Sequence, residues 1–211
     1  MKTKTTHILS IQDLQAISIA AKIIGQGGLV VFPTDTLYGL AADPWNGQAI
    51  QDIYTAKGRP QEKAIPVLIG SLPQLSLVTQ GLSDKMLILA ASFWPGPLTL
   101  VLPKKDGLAE ELSQYPTLAV RMPDNPFTLA LLLQTGPLAT TSANISGGSN
   151  PVNAEDVISQ LNGRVDLILD GGSTPGDSAS TVVDCTNDDL IILREGPISY
   201  DDLLKHWSES A

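Results

Sequence analysis

The sequence predicts an α/β protein with a twisted, mostly mixed β-sheet and flanking helices. Apolar runs with the length of buried strands recur along the whole chain, and amphipathic stretches of helical length lie between some of them. The two kinds of segment do not alternate strictly. Strict alternation would favour a parallel, doubly wound sheet, so the irregular order favours a mixed one.

The N-terminal part of the chain predicts one helix and one strand before the first polar loop. The helix is predicted with Ser10 as its cap and Asp13 in its first turn, from apolar residues at helical spacing, which are Leu14, Ile17, Ala21 and Ile24. The run 29–32 then has the continuous apolar character of a buried strand. Pro33 ends this strand and opens a polar loop over 34–39.

The rest of the chain predicts a series of short elements. Further strands are predicted at 67–69, 98–102, 118–122, 138–141, 167–169, 181–185 and 190–194. Further helices are predicted at 48–56, 82–92, 126–134, 154–161 and 200–207. Because the sequence has no internal repeat, charge block or linker, it predicts one domain over 11–198, between a leader segment (1–10) and a C-terminal helical tail (199–211).

The composition is that of an acidic globular protein. Thirteen Lys and Arg residues face 22 Asp and Glu residues, and the net charge of −9 argues against tight nonspecific binding of nucleic acid. The single cysteine, Cys185, cannot form an intramolecular disulfide, which suits a reducing compartment. No apolar run is long enough to span a bilayer, and the N-terminus has no signal-peptide core. We therefore expect a soluble, cytoplasmic protein with no membrane contact.

Several standard nucleotide and metal motifs are absent from the sequence. It contains no P-loop, no glycine fingerprint for dinucleotides, no zinc-ligand spacing and no nucleophile elbow. Both histidines, His7 and His206, lie near the ends of the chain, which argues against His/Cys metal sites and Ser-His triads. Any nucleotide site is therefore expected to be built without a P-loop.

Four polar clusters interrupt the apolar pattern, each just after a predicted element. They lie at 33–36, at 57–60, at 140–148 and, as a pair, at 180–184 and 194–197. Each has an ordinary structural explanation, as a turn that closes a strand, as cations at a helix C-terminus or as an ion pair. Each could equally contact a polar or anionic ligand. Arg121 is harder to explain structurally, because it interrupts an apolar strand and a buried guanidinium needs an anionic partner.

The order of these motifs resembles that of the YrdC-like threonylcarbamoyl-AMP synthases. The matching segments lie between residues 11 and 198 and read GGLVVFPTDTLYGLAADP, KGRP, WPGPLTLVL, TLAVRMPDNP, TTSANISG, VDLILDGG, STVVD and LREGPI. The resemblance implies a mixed sheet curved around an open, positively lined cavity, with 11–198 as the catalytic domain. It also implies ATP, L-threonine and bicarbonate as substrates, with Mg²⁺ carried by ATP and no metal ligand from protein side chains.

The resemblance further assigns roles to individual residues. Lys57 and Arg59 match the K-x-R of the family, and would hold the ATP phosphates and act in catalysis. Further contacts to ATP would come from Thr117, Ser142, Asn144 and Arg194. The pocket for threonine and carbamate would be lined by Arg121, Thr140, Ser180 and one or both of Thr34 and Thr36. Arg121 would pair with the amino-acid carboxylate, whereas Asp35 is expected to be structural.

The implied reaction adds the threonine amine to bicarbonate or CO₂, and the resulting carbamate oxygen attacks the α-phosphorus of ATP and expels pyrophosphate. The adenylate would pass to a tRNA threonylcarbamoyl transferase, for N6-threonylcarbamoyladenosine at tRNA position 37. Few cations remain outside the motifs, so stable direct tRNA binding is not expected.

The sequence departs from some relatives at Leu68, which stands near the place of a histidine.

Two other functions compete with this interpretation. The main alternative is an RNA-binding YrdC-like paralogue without synthase activity. The acidity of the chain argues against it, and so does the presence of Lys57 and Asn144, since divergent paralogues lose one or the other. The second is carbamoyl transfer through an adenylate, as implied by a related domain in hydrogenase-maturation proteins. Those proteins are much larger and carry zinc-finger and acylphosphatase parts that this sequence lacks.

Overall fold

One ten-stranded β-sheet forms the frame of the molecule. The computed structural model describes residues 4–176, 178–187 and 189–208. Within these residues the strands are β1 (His7–Ser10), β2 (Val30–Phe32), β3 (Gly39–Ala42), β4 (Val67–Leu68), β5 (Leu98–Pro103), β6 (Thr117–Arg121), β7 (Leu138–Ser142), β8 (Leu167–Asp170), β9 (Thr181–Asp184) and β10 (Ile191–Arg194). The helices are α1 (Ala16–Gly25), α2 (Gly47–Lys57), α3 (Leu72–Val78), α4 (Asp84–Phe93), α5 (Pro126–Thr135), α6 (Ala154–Leu161) and α7 (Tyr200–Ser208), with a 3₁₀ turn at Glu110–Leu112.

The sheet contains both parallel and antiparallel pairs. Its strand order is β1-β8-β2-β3-β7-β4-β6-β5-β9-β10. Strands β1 and β8, β2 and β8, β4 and β6, and β5 and β9 run parallel, whereas the other neighbours run antiparallel. The predicted mixed sheet is therefore confirmed.

The two faces of the sheet are covered differently. On one face, α1 and α5 pack over β2, β3 and β8 through a core that includes Ala20, Phe32 and Leu131. On the other face, a larger core receives residues of α2, α4, α6 and α7. Successive strand residues point to opposite faces, so Val120 enters the larger core while its neighbours Ala119 and Arg121 face the other side. That side, beyond α1 and α5, carries the cavity described below.

The N-terminal segment differs from the prediction. Residues His7–Ser10, which fall in the expected leader segment, form β1 at one edge of the sheet. Helix α1 begins only at Ala16, so the predicted cap by Ser10 is wrong. The cause is a turn in which the carboxylate and the carbonyl of Asp13 accept the N–H groups of Gln15 and Ala16. Leu14 precedes the helix and is fully exposed, and the buried residues of α1 are Ala16, Ala20 and Ile24.

Two further elements lie outside the predicted set. Strand β3 is only four residues long and begins at Gly39, the last residue of the predicted polar loop. Helix α3 has seven residues with a proline in its first turn, which is too short for a helical repeat to be visible. The other predicted helices and strands are confirmed to within two residues at their ends. None of the described helices combines the length and the apolar character needed to cross a membrane.

Candidate active site

A cavity of about 430 Å³ joins segments that are far apart in the sequence. Its wall includes the loop after β2, the segment after α2, residues of strands β4 to β7, and the last two strands of the chain. Three guanidinium groups line it, from Arg59, Arg121 and Arg194. So do several hydroxyl groups, which belong to Thr34, Thr36, Tyr38, Thr99, Thr140, Thr141, Ser142 and Ser180. This lining suits an anionic ligand with several oxygen atoms.

Arg121, the last residue of β6, is fixed by three hydrogen bonds. Its Nε donates to the carbonyl of Gly96 at 2.9 Å, its Nη1 to Thr36 Oγ1 at 2.9 Å and its Nη2 to Asp35 Oδ1 at 2.5 Å. Burial lowers the pKa of Arg121, and the charge of Asp35 opposes that shift. Asp35 is thus the anionic partner that the buried arginine requires. These contacts use three of the five N–H donors of a guanidinium and leave two for a ligand carboxylate.

Thr34 and Thr36 make different hydrogen bonds in the loop after β2. Thr34 Oγ1 accepts the N–H groups of Thr36 and Leu37 at 3.1 and 3.3 Å and donates to the carbonyl of Leu37 at 2.7 Å. This is the hydrogen-bonded turn that its sequence context predicts. Thr36 Oγ1 instead accepts from Arg121 and lies 3.1 Å from Thr34 Oγ1. Both side chains line the cavity, and Thr36 orients its arginine.

Helix α2 and the turn after it position the K-x-R segment. Asn46 caps the helix by accepting the N–H of Ala49 at 3.1 Å, and Gly58 ends it with a left-handed φ of 58°. Beyond this turn Arg59 Nη2 donates to the carbonyl of Ala64 at 2.9 Å, and its Nε donates to the carbonyl of Lys63 at 3.1 Å. Burial lowers the pKa of Arg59. Its guanidinium therefore reaches the cavity wall braced by two carbonyl groups.

Lys57 lies behind the cavity wall and not on it. The residue is 1% exposed and is absent from the cavity lining. Its Nζ donates to the carbonyls of Ser142 and Asn144, the second at 2.5 Å, and to Asn144 Oδ1 at 3.3 Å. Burial, together with the nearby charge of Arg59, lowers the pKa of Lys57 to about 7. The structure therefore uses this ammonium to hold the S-x-N loop.

Ser142 and Asn144 form the rest of that network. Ser142 Oγ donates to Asn144 Oδ1 at 2.6 Å, and Asn144 Nδ2 donates to the carbonyl of Gly148 at 2.9 Å. The backbone N–H of Ser146 donates to the carbonyl of Lys57 at 2.8 Å. Ser142 lines the cavity, whereas Asn144 is 7% exposed and lies outside the lining. The three residues predicted to contact ATP here are thus in mutual contact, and Ser142 alone among them faces the cavity.

Ser180 and Arg194 meet at the other side of the cavity. Arg194 Nε and Nη2 donate to the carbonyl of Ser180 at 3.0 and 2.8 Å, and Nη2 also donates to Ser180 Oγ at 3.0 Å. The ordinary explanation of Arg194, an ion pair with Glu195, does not hold, because no salt bridge between described residues includes it. Burial lowers the pKa of Arg194, and the charge of Arg121 lowers it further.

The two remaining predicted residues, Thr140 and Thr117, lie on strands of the cavity. Thr140 lines the cavity from β7, and its hydroxyl donates to the carbonyl of Leu138 at 3.0 Å. Thr117 begins β6 and lies outside the lining, but it shares a face with Ala119 and Arg121, because alternate strand residues point the same way. Leu68, near the place of a histidine in some relatives, contributes an apolar side chain to the wall.

Four polar residues of the cavity lie outside the predicted set, and one of them is Thr141 of β7. Tyr38 donates its hydroxyl to the carbonyl of Gly172 at 2.6 Å and so ties the cavity loop to the segment after β8. Thr99 lies within 2.7 Å of Ser180 Oγ, and Asn150 lines the cavity just after the S-x-N loop. Thr99 had a visible indication in the sequence, because it is the one polar residue in the apolar strand 98–102.

Comparison with known proteins identifies the family. The family model for Sua5, YciO and YrdC proteins, described as "Telomere recombination", matches residues 22–196 of this chain. That span includes most of the chain and every segment of the cavity wall. The chain belongs to the Sua5/YciO/YrdC family. The match confirms the resemblance that the order of the sequence motifs indicates.

Relatives within the Sua5/YciO/YrdC family include named synthases. The threonylcarbamoyl-AMP synthase of Bacillus subtilis (strain 168) is 42% identical in an alignment of 207 positions that covers 94% of this chain and 60% of that protein. The threonylcarbamoyl-AMP synthase of Pyrococcus abyssi is 40% identical over 90% of this chain and 56% of its own length. The putative threonylcarbamoyl-AMP synthase of Mycobacterium tuberculosis (strain H37Rv) is 39% identical over 89% of this chain and 87% of that protein. The chain thus spans 56–60% of the first two relatives.

Solved structures in the Sua5/YciO/YrdC family share the fold. P. abyssi Sua5 complexed with L-threonine superposes with a TM-score of 0.89 at 37% identity, covering 96% of this chain and 60% of that one. Escherichia coli YciO superposes with a TM-score of 0.82 at 26% identity, covering 96% of this chain and the whole of the other. The predicted YrdC-like fold is therefore confirmed.

Proposed function

We propose that this chain is an L-threonylcarbamoyladenylate synthase, which forms threonylcarbamoyl-AMP and pyrophosphate from L-threonine, bicarbonate and ATP. The observation that carries the proposal is the cavity itself, in which three guanidinium groups and a set of hydroxyls meet in one space. The family membership of the chain and its similarity to named synthases support the same reaction. The similarity to a Sua5 structure with bound L-threonine supports threonine as one substrate.

Arg121 is the residue best placed for the amino-acid carboxylate. Its guanidinium is already oriented by Asp35, Thr36 and Gly96, so little side-chain entropy remains to be lost when a ligand binds. The ion pair with Asp35 cancels one unit of charge, yet two N–H donors of the guanidinium remain for a carboxylate. We assign Thr140 and Ser180 to the same pocket, because both side chains line the cavity; to donate to the carboxylate or carbamate, the hydroxyl of Thr140 would have to turn away from the carbonyl of Leu138.

The chemical step needs positive charge more than a general base. The threonine amine and bicarbonate combine into a carbamate and water, and a carbamate oxygen then bonds to the α-phosphorus while the bond to pyrophosphate breaks. Negative charge grows on phosphate oxygens in this transition state, so fixed cations aimed at them would supply most of the catalysis. Arg59 and Arg194 line the cavity and can take this role. Thr117 and Ser142 remain our proposed contacts to the rest of the nucleotide.

The proposed contact of Lys57 with ATP phosphates requires a rearrangement. Its ammonium donates to three oxygen atoms of the S-x-N loop, and a phosphate would have to replace one of them. In the arrangement described here, Lys57 would act on ATP through the position of Ser142 and Asn144. The environment of Lys57 lowers its pKa to about 7. The negative charge of an arriving phosphate would raise this pKa again and so favour the charged ammonium.

We propose that Mg²⁺ enters as part of the ATP complex. Asp35 is adjacent to the cavity, but its carboxylate is already paired with Arg121. Among the described residues no cluster of three or more His, Cys, Asp or Glu side chains could hold a metal ion. Mg²⁺ commonly keeps several waters and binds through substrate phosphates, so the donor set suits an ion that the nucleotide brings. The ion would neutralise part of the phosphate charge.

A pyrophosphate-release assay tests the proposed function. The full chain, ATP and Mg²⁺ would be combined with threonine and bicarbonate, and each of these two would be omitted in turn. We expect pyrophosphate only when both are present, and a mass for threonylcarbamoyl-AMP in the product. Release that continues without threonine would contradict the proposal and would indicate another acceptor. The variant Arg59→Ala is expected to lower the rate about 30- to 1000-fold, as for the loss of one charged transition-state contact.

We further propose that the adenylate is released to a separate tRNA threonylcarbamoyl transferase in the cytoplasm, and that this chain does not bind tRNA stably. Four of the lysines outside the cavity segments are already engaged: Lys4 and Lys205 pair with Asp166 and Asp202, while Lys104 and Lys105 donate to backbone carbonyls. Few cations are thus available for a phosphate backbone. A titration of labelled tRNA by fluorescence anisotropy at physiological salt should show no saturable binding. Micromolar binding with a steep salt dependence would contradict this proposal.

A further inference from the structure

Four adjacent strands carry a row of residues across the cavity. In the sheet order β6-β5-β9-β10, Thr99 of β5 pairs with Val182 of β9, and Val182 pairs with Arg194 of β10. Strand β6 pairs Val120 with Leu100, and one more residue in that register brings Arg121 opposite Thr99. The row therefore places Thr99 between two arginines, and all four of these side chains line the cavity.

Thr99 also contacts Ser180, and the two hydroxyls form a unit with Arg194. Thr99 Oγ1 lies 2.7 Å from Ser180 Oγ, and Arg194 Nη2 donates to Ser180 Oγ at 3.0 Å. Thr99 is 4% exposed and Ser180 is 4% exposed. Buried hydroxyls with two polar neighbours have few alternative orientations. The protons that remain for a ligand can therefore be counted from the donors and acceptors present.

The proton count leaves one donor for a ligand. Each hydroxyl has one proton and two acceptor positions, and a guanidinium can only donate. Arg194 therefore fills one acceptor position of Ser180, and the short contact between Ser180 and Thr99 uses one of their two protons. Within the part of the chain that the structure describes, neither hydroxyl donates elsewhere. Whichever hydroxyl donates in the short contact, the other keeps a proton that is available in the cavity.

The surroundings of this free proton favour an anion. Arg194 forms no salt bridge with the described residues, and its pKa is lowered by burial and by the charge of Arg121. An oxygen anion placed above Thr99 would relieve the repulsion between the two guanidinium groups and would accept the free hydroxyl proton. Asp35 does not fill that place, because its carboxylate is bonded to Arg121 Nη2 and makes no salt bridge with Arg194.

We propose that Thr99, together with Ser180, forms a hydroxyl pair that binds a carboxylate-type oxygen of the amino-acid substrate between Arg121 and Arg194. This inference rests on the proposed function and adds a residue to its substrate pocket. The role of Thr99 is either direct donation to the ligand oxygen or orientation of the Ser180 proton toward it. Both require the hydroxyl of Thr99 and neither requires its methyl group.

Two complementary substitutions test the proposal on the full chain. Thr99→Val removes the hydroxyl and keeps the shape, and Thr99→Ser keeps the hydroxyl and removes the methyl group. We expect Thr99→Val to raise KM for threonine or bicarbonate by about 10- to 100-fold, the usual range for a lost hydrogen bond to a charged group. Thr99→Ser should stay within about threefold of the wild type, and KM for ATP should change little in either variant. The matched control is Thr79→Val, since Thr79 is also buried, makes one side-chain hydrogen bond, to Leu75, and lies outside the cavity.

The carboxylate-type oxygen could belong to the threonine carboxylate or to the carbamate formed from threonine. A binding measurement distinguishes the two. Calorimetric titration with L-threonine, without ATP or bicarbonate, would show weaker binding to Thr99→Val if the pair holds the carboxylate. If that titration is unchanged while KM for bicarbonate rises, the pair holds the carbamate. A double variant with Ser180→Ala should be no worse than the more impaired of the two single variants, because the two hydroxyls act as one unit.

Clear results would overturn the inference. It is wrong if Thr99→Val matches Thr79→Val in all three KM values and in threonine affinity, or if Thr99→Ser is as impaired as Thr99→Val. Independent, additive effects in the double variant would also contradict a shared donor. Failure of the proposed function is a different result, since the wild-type chain would then release no pyrophosphate, or would release it without threonine.

Discussion

Replacing Arg121 with lysine tests whether the forked shape of the guanidinium, and not only its charge, holds the cavity together. The guanidinium donates in three directions, to Gly96, Thr36 and Asp35. An ammonium keeps the charge and can keep the contact with Asp35, but it cannot span the other two as well. Two charge-assisted hydrogen bonds are then lost, at about 1.5 kcal/mol each. We therefore expect the free energy of unfolding to fall by about 3 kcal/mol.

Urea unfolding followed by circular dichroism measures this change. For a slope of about 3 kcal/mol per molar urea, the midpoint should move down by about 1 M. Arg164→Lys is the matched control, because the guanidinium of Arg164 makes one hydrogen bond, to the carbonyl of Ala56 at 3.1 Å, and should cost about 1 kcal/mol or less. The reasoning is refuted if Arg121→Lys unfolds within about 1 kcal/mol of the wild type, or at the same midpoint as Arg164→Lys.

Three further predictions concern the loop that follows β7. The pKa of Lys57 is lowered to about 7 from 10.5, so between these values the unfolded chain binds a proton that the folded chain lacks. The free energy of unfolding should therefore rise with pH across this window relative to Lys57→Met, and parallel curves for the two proteins would contradict it. Asn144→Asp would set a carboxylate oxygen against the carbonyl of Gly148, which now accepts from Asn144 at 2.9 Å. We expect KM for ATP to rise about tenfold or more, and an unchanged KM would show that Asn144 is only a turn residue. Gly148→Ala would bring its Cβ to 2.4 Å from Gln160 Oε1, whose displacement should lower the free energy of unfolding by about 1 kcal/mol. In thermal unfolding, the same substitution in a Gln160→Ala background should cost clearly less, and an equal cost would rule out this clash.

Much of the fold follows from local patterns, and its exceptions are local as well. The strands with continuous apolar runs and the helices with long amphipathic repeats are predicted correctly, because burial imposes those patterns. Strand β1 shows no such pattern, because its residues are mostly exposed. Its partner β8 lies far along the chain. Helix α3 is too short to show a repeat. Elements without a buried apolar run or a helical repeat of their own cannot be identified from their own sequence.

Prediction from sequence has the same limit for the side chains of the cavity. The sequence predicts that Arg121 needs an anion, but the identity of Asp35 depends on a contact between residues 86 positions apart. Two cations flanking Gly58 fit a phosphate clamp, yet one of them, Lys57, donates to the loop after β7 instead. No local pattern distinguishes these two uses of a lysine at a helix end. Its burial is set by a strand that the chain reaches only some 80 residues later.

The pairing of β1 with β8 has a consequence for synthesis. The register joins His7 to Leu167 and Ser10 to Asp170, and β8 also pairs with β2. On the ribosome, the antiparallel pair of β2 and β3 can close early, whereas β1 waits for residues 167–170 to emerge. At roughly 5–20 residues per second that delay lasts about 8–30 s. Throughout this interval the nascent chain carries an unpaired N-terminal strand, a free edge that other chains can join. We therefore expect the yield of folded protein to depend on translation speed and on chaperone access during this interval.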